Sequence, residues 1–163
     1  MHELATNAKY DVFTICTWFI WRGKVDEENR DAEPITLLKL MKLLYYAEGC
    51  SIAIGNGSLF PDKFEGWAHG PAIKCVWEKY QETPRSLPYS SKDLFTVKSI
   101  NSADQDLLEQ VYCTFGIYTA WGLREKSLQE TPWIEATSNG KKLNQEISRK
   151  SMATYFKEHY VQN

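Results

Sequence analysis

The stretch from Pro34 to Ala47 constrains this chain more than any other. Pro34 cannot continue a preceding helix, and Thr36 is a good N-cap, because its hydroxyl can accept from an otherwise orphaned backbone N–H. Leu37, Leu38, Leu40, Met41, Leu43, Leu44, Tyr45 and Ala47 follow. Lys39, Lys42 and Tyr46 mark a narrower, more polar side. A helix apolar over most of its circumference must be covered on most sides, so the pattern predicts a central helix over 36–52. The turn signal Gly55-Asn56-Gly57-Ser58 lies beyond it.

The remaining elements fall around that one. Tyr10, Phe13, Cys16 and Ile20 trace one face of a helix from about Lys9 to Trp21, with Gly23 as its stop signal. The acidic run 26–31 then reads as a solvated loop. Residues 59–71 are too rich in Pro and Gly for a helix. Phe60, Phe64 and Trp67 there suit short extended segments, and Pro71 suits the first turn of a helix carrying Ile73, Cys75, Val76, Trp77 and Tyr80. Thr83 to Ser91, with Pro84 and Pro88, reads as a loop, and 93–100 as a short strand or a connector. Ser102 with Gln105 has the form of a capping box. Leu107, Leu108, Val111, Tyr112, Phe115, Tyr118 and Trp121 then trace one helical face, which Gly122 would close. Pro132 and Trp133 suggest a short helix, and Ser148 caps a last one that buries Met152, Tyr155, Phe156 and Tyr160. The expected fold is mainly α: a single compact helical domain over 1–163, with roughly five to seven helices and room for a small β-hairpin near residues 59–67.

Composition removes several functions. At 163 residues the chain buries roughly 70% of its unfolded surface and needs no metal or disulfide to fold. The net charge of −2, with both signs dispersed, argues against a phosphate-binding stripe, so nucleic acid is not the expected partner. Lys141-Lys142 and Arg149-Lys150 read as solvated charge. No apolar run reaches the roughly 18–20 residues that span a bilayer, and Met1-His2-Glu3-Leu4 lacks the basic region of a signal peptide, so no membrane partner and a cytoplasmic location are expected.

Chemistry-bearing patterns are sparse. Cys16, Cys50, Cys75 and Cys113 are far apart and read as buried, reduced thiols. His2, His69 and His159 form no metal-ligand spacing with them. A cysteine hydrolase would need His69 as its base, and sequence places no thiol beside it. Carboxylate pairs such as Glu125 with Glu130 are expected by chance. No catalytic residue, cofactor or metal ligand is assigned, and the chain is read as a binding protein rather than an enzyme.

Several landmarks stand in order: Pro34 to Gly49, Leu59-Phe60, Phe64 to Pro71, Val76 to Tyr80, Glu130 to Ala136, and Met152 to Phe156. In that order they resemble the Panacea domain, the family of SocA-like antitoxins and of GepA-like proteins of phages and mobile elements. The resemblance spans Tyr10 to Tyr160. It implies an antitoxin that neutralises a cognate toxin by direct protein contact, by occlusion or as an adaptor delivering the toxin to a AAA+ protease. A regulatory role on a prophage, and a homodimer, stay open. The family's residues imply no catalytic group. One departure stands out: Leu128 occupies a position where members often carry His. Anchors for a protein partner are expected among the more exposed of Trp67, His69, Trp77, Arg124, Trp133 and Tyr160, since aromatic and Arg side chains dominate such contacts.

Overall fold

The computed structural model describes residues 7–30, 32–83 and 87–161. Pro84 of the expected loop, Asp31 and Met1 to Leu4 lie outside the described residues. Among those described, eight helices surround a small sheet: α1 (Val12–Arg30), α2 (Leu37–Ala53), β1 (Phe64–Trp67), β2 (Gly70–Ala72), α3 (Lys74–Tyr80), α4 (Asp93–Lys98), α5 (Ser102–Phe115), α6 (Ala120–Leu128), α7 (Thr131–Thr137), β3 (Gln145–Ile147) and α8 (Arg149–His159). The mainly helical class with a small β element holds.

Helix α2 is the axis of the fold. The Thr36 hydroxyl accepts from Lys39 N at 3.2 Å, as an N-cap should. The helix packs against α8, α5, α6, α1, α3 and β2. Its covering is more complete than the pattern predicts, because Lys42 and Tyr46, expected on a polar side, are fully buried. Tyr46 stacks on Phe115 at 4.1 Å between ring centroids.

Helix α1 runs through Gly23 to Arg30 instead of stopping. The glycine serves close packing: a Cβ there would lie 2.3 Å from Ile35 Cγ1. The acidic run is mostly the last turn of this helix, and it is tied down. Asp26 accepts from Arg22 at 2.7 Å and from the Tyr112 hydroxyl at 2.8 Å, and Arg22 also pairs with Glu109 at 2.7 Å. These bonds fasten α1 to α5.

Strand β1 pairs antiparallel with both β2 and β3, with Glu65 opposite Ala72 on one side and Glu146 on the other. Pro71 therefore lies in a strand and does not open a helix. The order β2-β1-β3 makes β2 an edge, where a missing N–H is tolerated. The expected hairpin lies somewhat later than 59–67, and β3 from the far end of the chain completes the sheet. Residues 93–98 are helical, not a strand.

The long helix expected over 102–121 is broken. Asn101, not Ser102, caps α5, accepting from Asp104 N at 2.8 Å. The helix ends at Phe115, and Thr119 starts α6 by accepting from Gly122 N at 2.9 Å. Gly122 is thus an early residue of α6 rather than a stop. The break turns Tyr118 and Trp121 out of the face they would have continued. Helices α7 and α8 match the reading, with Ser148 accepting from Ser151 N at 3.0 Å. Of the last helix's expected face, Met152 and Phe156 are buried and Tyr155 and Tyr160 half-buried.

Candidate functional site

The β1–β2 hairpin turns through Ala68 and His69 into Gly70, whose φ of +107° is a region that favours glycine. Side chains also crowd this glycine. A Cβ on it would lie 2.6 Å from Ser127 Oγ on α6 and 3.0 Å from Lys42 Cε on α2. The turn therefore sits directly on two helices.

Lys42 reaches this turn from inside. Its Nζ donates to Pro71 O at 2.7 Å, its one hydrogen bond among the described residues. Burial and, secondarily, the charge of Arg124 push its pKa down to about 7. His69 is held below its ordinary value by burial first, then by Lys42 and Arg124. Its Nδ1 is buried without a hydrogen-bond partner among the described residues. Arg124, on α6, stacks over Trp121 at 4.2 Å and bonds Glu125.

Rings extend the turn on both sides. The His69 ring meets Trp67 edge-on at 5.6 Å, and Trp67 meets Trp77 at 6.1 Å. Trp133 lies beneath, 7% exposed, donating from Nε1 to Trp67 O at 2.9 Å. On the other side, beyond Arg124, the break between α5 and α6 projects Ile117 (79% exposed), Tyr118 (41%) and Trp121 (62%). Ile117 and Tyr118 also rim an open cleft of about 480 Å³ whose walls include Arg22, Arg30, Lys39 and Tyr112.

Of the six anchor candidates, Trp67, His69 and Trp77 thus share one patch, Trp133 supports it from below, and Arg124 borders it through its charge. Tyr160 belongs to another group. Its hydroxyl and that of Tyr45 both donate to the buried Glu130 carboxylate, Tyr45 at 3.1 Å. Burial pushes the Glu130 carboxyl up, and the Tyr160 and Tyr45 bonds pull against it. Leu128 closes α6 half-buried against the core.

Sequence reasoning missed Lys42, Ile117, Tyr118, Trp121 and Arg149. Arg149 is not solvated charge: it is buried and donates from Nε to Glu48 at 2.7 Å and from Nη2 to the carbonyls of Phe60 and Asp62. The exposed residues had a local signal, a Gly116 three positions before Thr119, which is a stop followed by a cap.

The thiols lean away from nucleophilic chemistry. Burial pushes Cys50 and Cys75 up to about 12 and raises Cys16 and Cys113 as well. Cys75 bonds Asp62 at 3.2 Å, and among the described residues no cysteine bonds His69. The expectation of four buried thiols fails at Cys113, which is exposed, and holds fully for Cys16 alone.

The family model described as antitoxin SocA-like, Panacea domain, matches residues 40–134, more than half of the chain. This chain belongs to the SocA-like antitoxin family. The matched stretch runs from within α2 to Ile134 in α7, so it contains the hairpin, Lys42, Arg124 and the exposed ridge. No curated protein and no solved structure matches the chain. A SocA-like domain carries an antitoxin-like role in general, with a protein such as a toxin as its kind of partner. Among the described residues, no helix of this SocA-like domain is long and apolar enough to cross a membrane.

Proposed function

We propose that this protein neutralises a cognate toxin by binding it directly, as a non-enzymatic unit comprising the whole chain and acting in the cytoplasm. One observation carries the reading. In a SocA-like domain, three exposed large side chains, Ile117, Tyr118 and Trp121, stand within five residues of one another at the α5–α6 junction, with Arg124 stacked on the last of them. A monomer that kept Ile117, Tyr118 and Trp121 in water would gain nothing from them, whereas aromatic and Arg side chains are what protein interfaces concentrate. Arg124, stacked on Trp121, joins this ridge to the His69 turn, so Trp67, His69, Trp77 and Arg124 are the anchors retained from the sequence. Trp133 supports them, and Tyr160 holds Glu130 in place.

The test is coexpression with the product of the adjacent gene, scored by growth and by copurification. Rescue of growth together with a stable complex is expected. Trp121→Ala should change unfolding free energy by less than about 0.5 kcal/mol, because the ring is mostly in water. The same change should weaken the complex by about 2 kcal/mol, roughly 30-fold. Unaltered affinity in Trp121→Ala would remove the ridge from the interface, and toxicity without rescue would end the antitoxin reading. A toxin half-life that shortens only when the antitoxin and a AAA+ protease are both present would point to delivery instead of occlusion.

A further inference from the structure

We infer that the His69 turn is a receptor for a carboxylate, contacted by His69 and Arg124 with the Lys42 ammonium fixed behind them, and that the occupant is an acidic side chain of the protein partner. The inference rests on the antitoxin reading for the partner's identity but not for the chemistry of the site. Three groups able to carry positive charge meet at one turn from three elements: Lys42 of α2, bonded to Pro71 O, His69 in the hairpin itself, and Arg124 of α6, whose carbonyl accepts from the Ser127 hydroxyl that crowds Gly70. Among the described residues no carboxylate pairs with Lys42 or His69, and Arg124 has only the neighbouring Glu125. Among the described residues, fully buried Lys42 makes one hydrogen bond and the buried His69 Nδ1 makes none. Folded chains rarely leave buried polar atoms unpaired, because each costs about 1–3 kcal/mol in lost hydration.

Such an arrangement disfavours full protonation until an anion arrives. The effect is visible in the free protein, where Lys42 and Arg124 both disfavour the charged form of His69. A carboxylate against His69 and Arg124 reverses that sign, and it does so beside low-dielectric walls, where a charge-assisted bond is stronger than in water. A nucleic-acid backbone fits less well. The cluster is a single point of charge on a protein of net charge −2, whereas a phosphate track needs a stripe. The neighbours suit a peptide, because Trp67 and Trp77 lie on one side and Trp121 stacks on Arg124.

The probe is an acetylated oligoglutamate peptide titrated into isotope-labelled full-length protein, followed by NMR at the His69 ring and the amides of residues 68–70. A saturable shift in the millimolar range is expected, with no comparable shift from an oligolysine peptide. Arg124→Gln should weaken it about tenfold, the scale of one charge-assisted bond. His69→Gln is the second variant, with an unchanged spectrum elsewhere reporting that each still folds. No saturable shift, equal shifts from oligolysine, retained affinity in both variants, or tighter binding of a single-stranded oligonucleotide would each overturn the inference. Growth rescue plays no part in this readout, so a failure of the antitoxin reading and a failure of the carboxylate site are seen separately.

Discussion

Replacing Lys42 with Met tests the least expected feature of the core. The ammonium is sealed at the centre of α2, with a pKa pushed to about 7 against an ordinary 10.5. The unfolded chain therefore keeps a proton that the folded chain releases, so stability rises with pH across the window from about 7 to about 10.5. Below that window both states are charged and the folded state bears the full penalty, (10.5 − 7) × 1.36, or about 5 kcal/mol. Between about pH 6 and about pH 9.5, linkage with those two values gives wild-type protein about 3 kcal/mol that the Met variant lacks. Met keeps the stem and loses the bond to Pro71 O, a change that does not follow this titration. At neutral pH the variant should be more stable by about 2 kcal/mol, as is common when a buried charge is replaced by a packed apolar group. Urea unfolding followed by the fluorescence of the six tryptophans, at a series of pH values, measures both quantities. The other titrating groups are shared and cancel in the comparison. Parallel stability curves for the two proteins would refute the reasoning, because Lys42 would then titrate alike in both states.

Other outcomes follow from single contacts. Arg149→Met strands the Glu48 carboxylate in the core and should cost about 3–5 kcal/mol in chemical unfolding; adding Glu48→Gln should recover part of it. Gly70→Ala should destabilise by more than Gly55→Ala. Both have positive φ, but only Gly70 faces Ser127 Oγ and Lys42, so the difference measures the steric part, expected at about 1–3 kcal/mol. Thr36→Ala removes the cap of α2 and should cost about 1 kcal/mol by thermal or urea unfolding.

The central helix was legible because its apolar residues outnumber any single face and its cap is unambiguous. What the pattern could not supply was which polar residues on it point inward. Lys42 and Tyr46 look like a solvent side until six other elements close around them. The hairpin was half legible. Proline and glycine excluded a helix over 59–71, but Pro71 has two good homes, a first helical turn and a sheet edge, and only the position of β1 chooses between them. Arg149 was misread for a related reason, since its partner Glu48 is 101 positions away and no local pattern reports such a pair. In the candidate site, Trp67, His69, Trp77 and Arg124 could be singled out by residue type. The exposure of Tyr118 and Trp121 was overlooked because their spacing continues the buried face of α5, a pattern that outweighs the local stop at Gly116 and cap at Thr119.

That break divides labour along the chain. Ile117 and Tyr118 hang from a short connection clamped by Gly116 on one side and the Thr119 cap on the other, and Trp121 follows in the first turn of α6. All three side chains are exposed, so their identities have little bearing on whether the core assembles. A lineage can rewrite these positions freely while the clamps and α2 stay unchanged. Under the proposed function, one scaffold can in this way acquire new specificities without losing the fold.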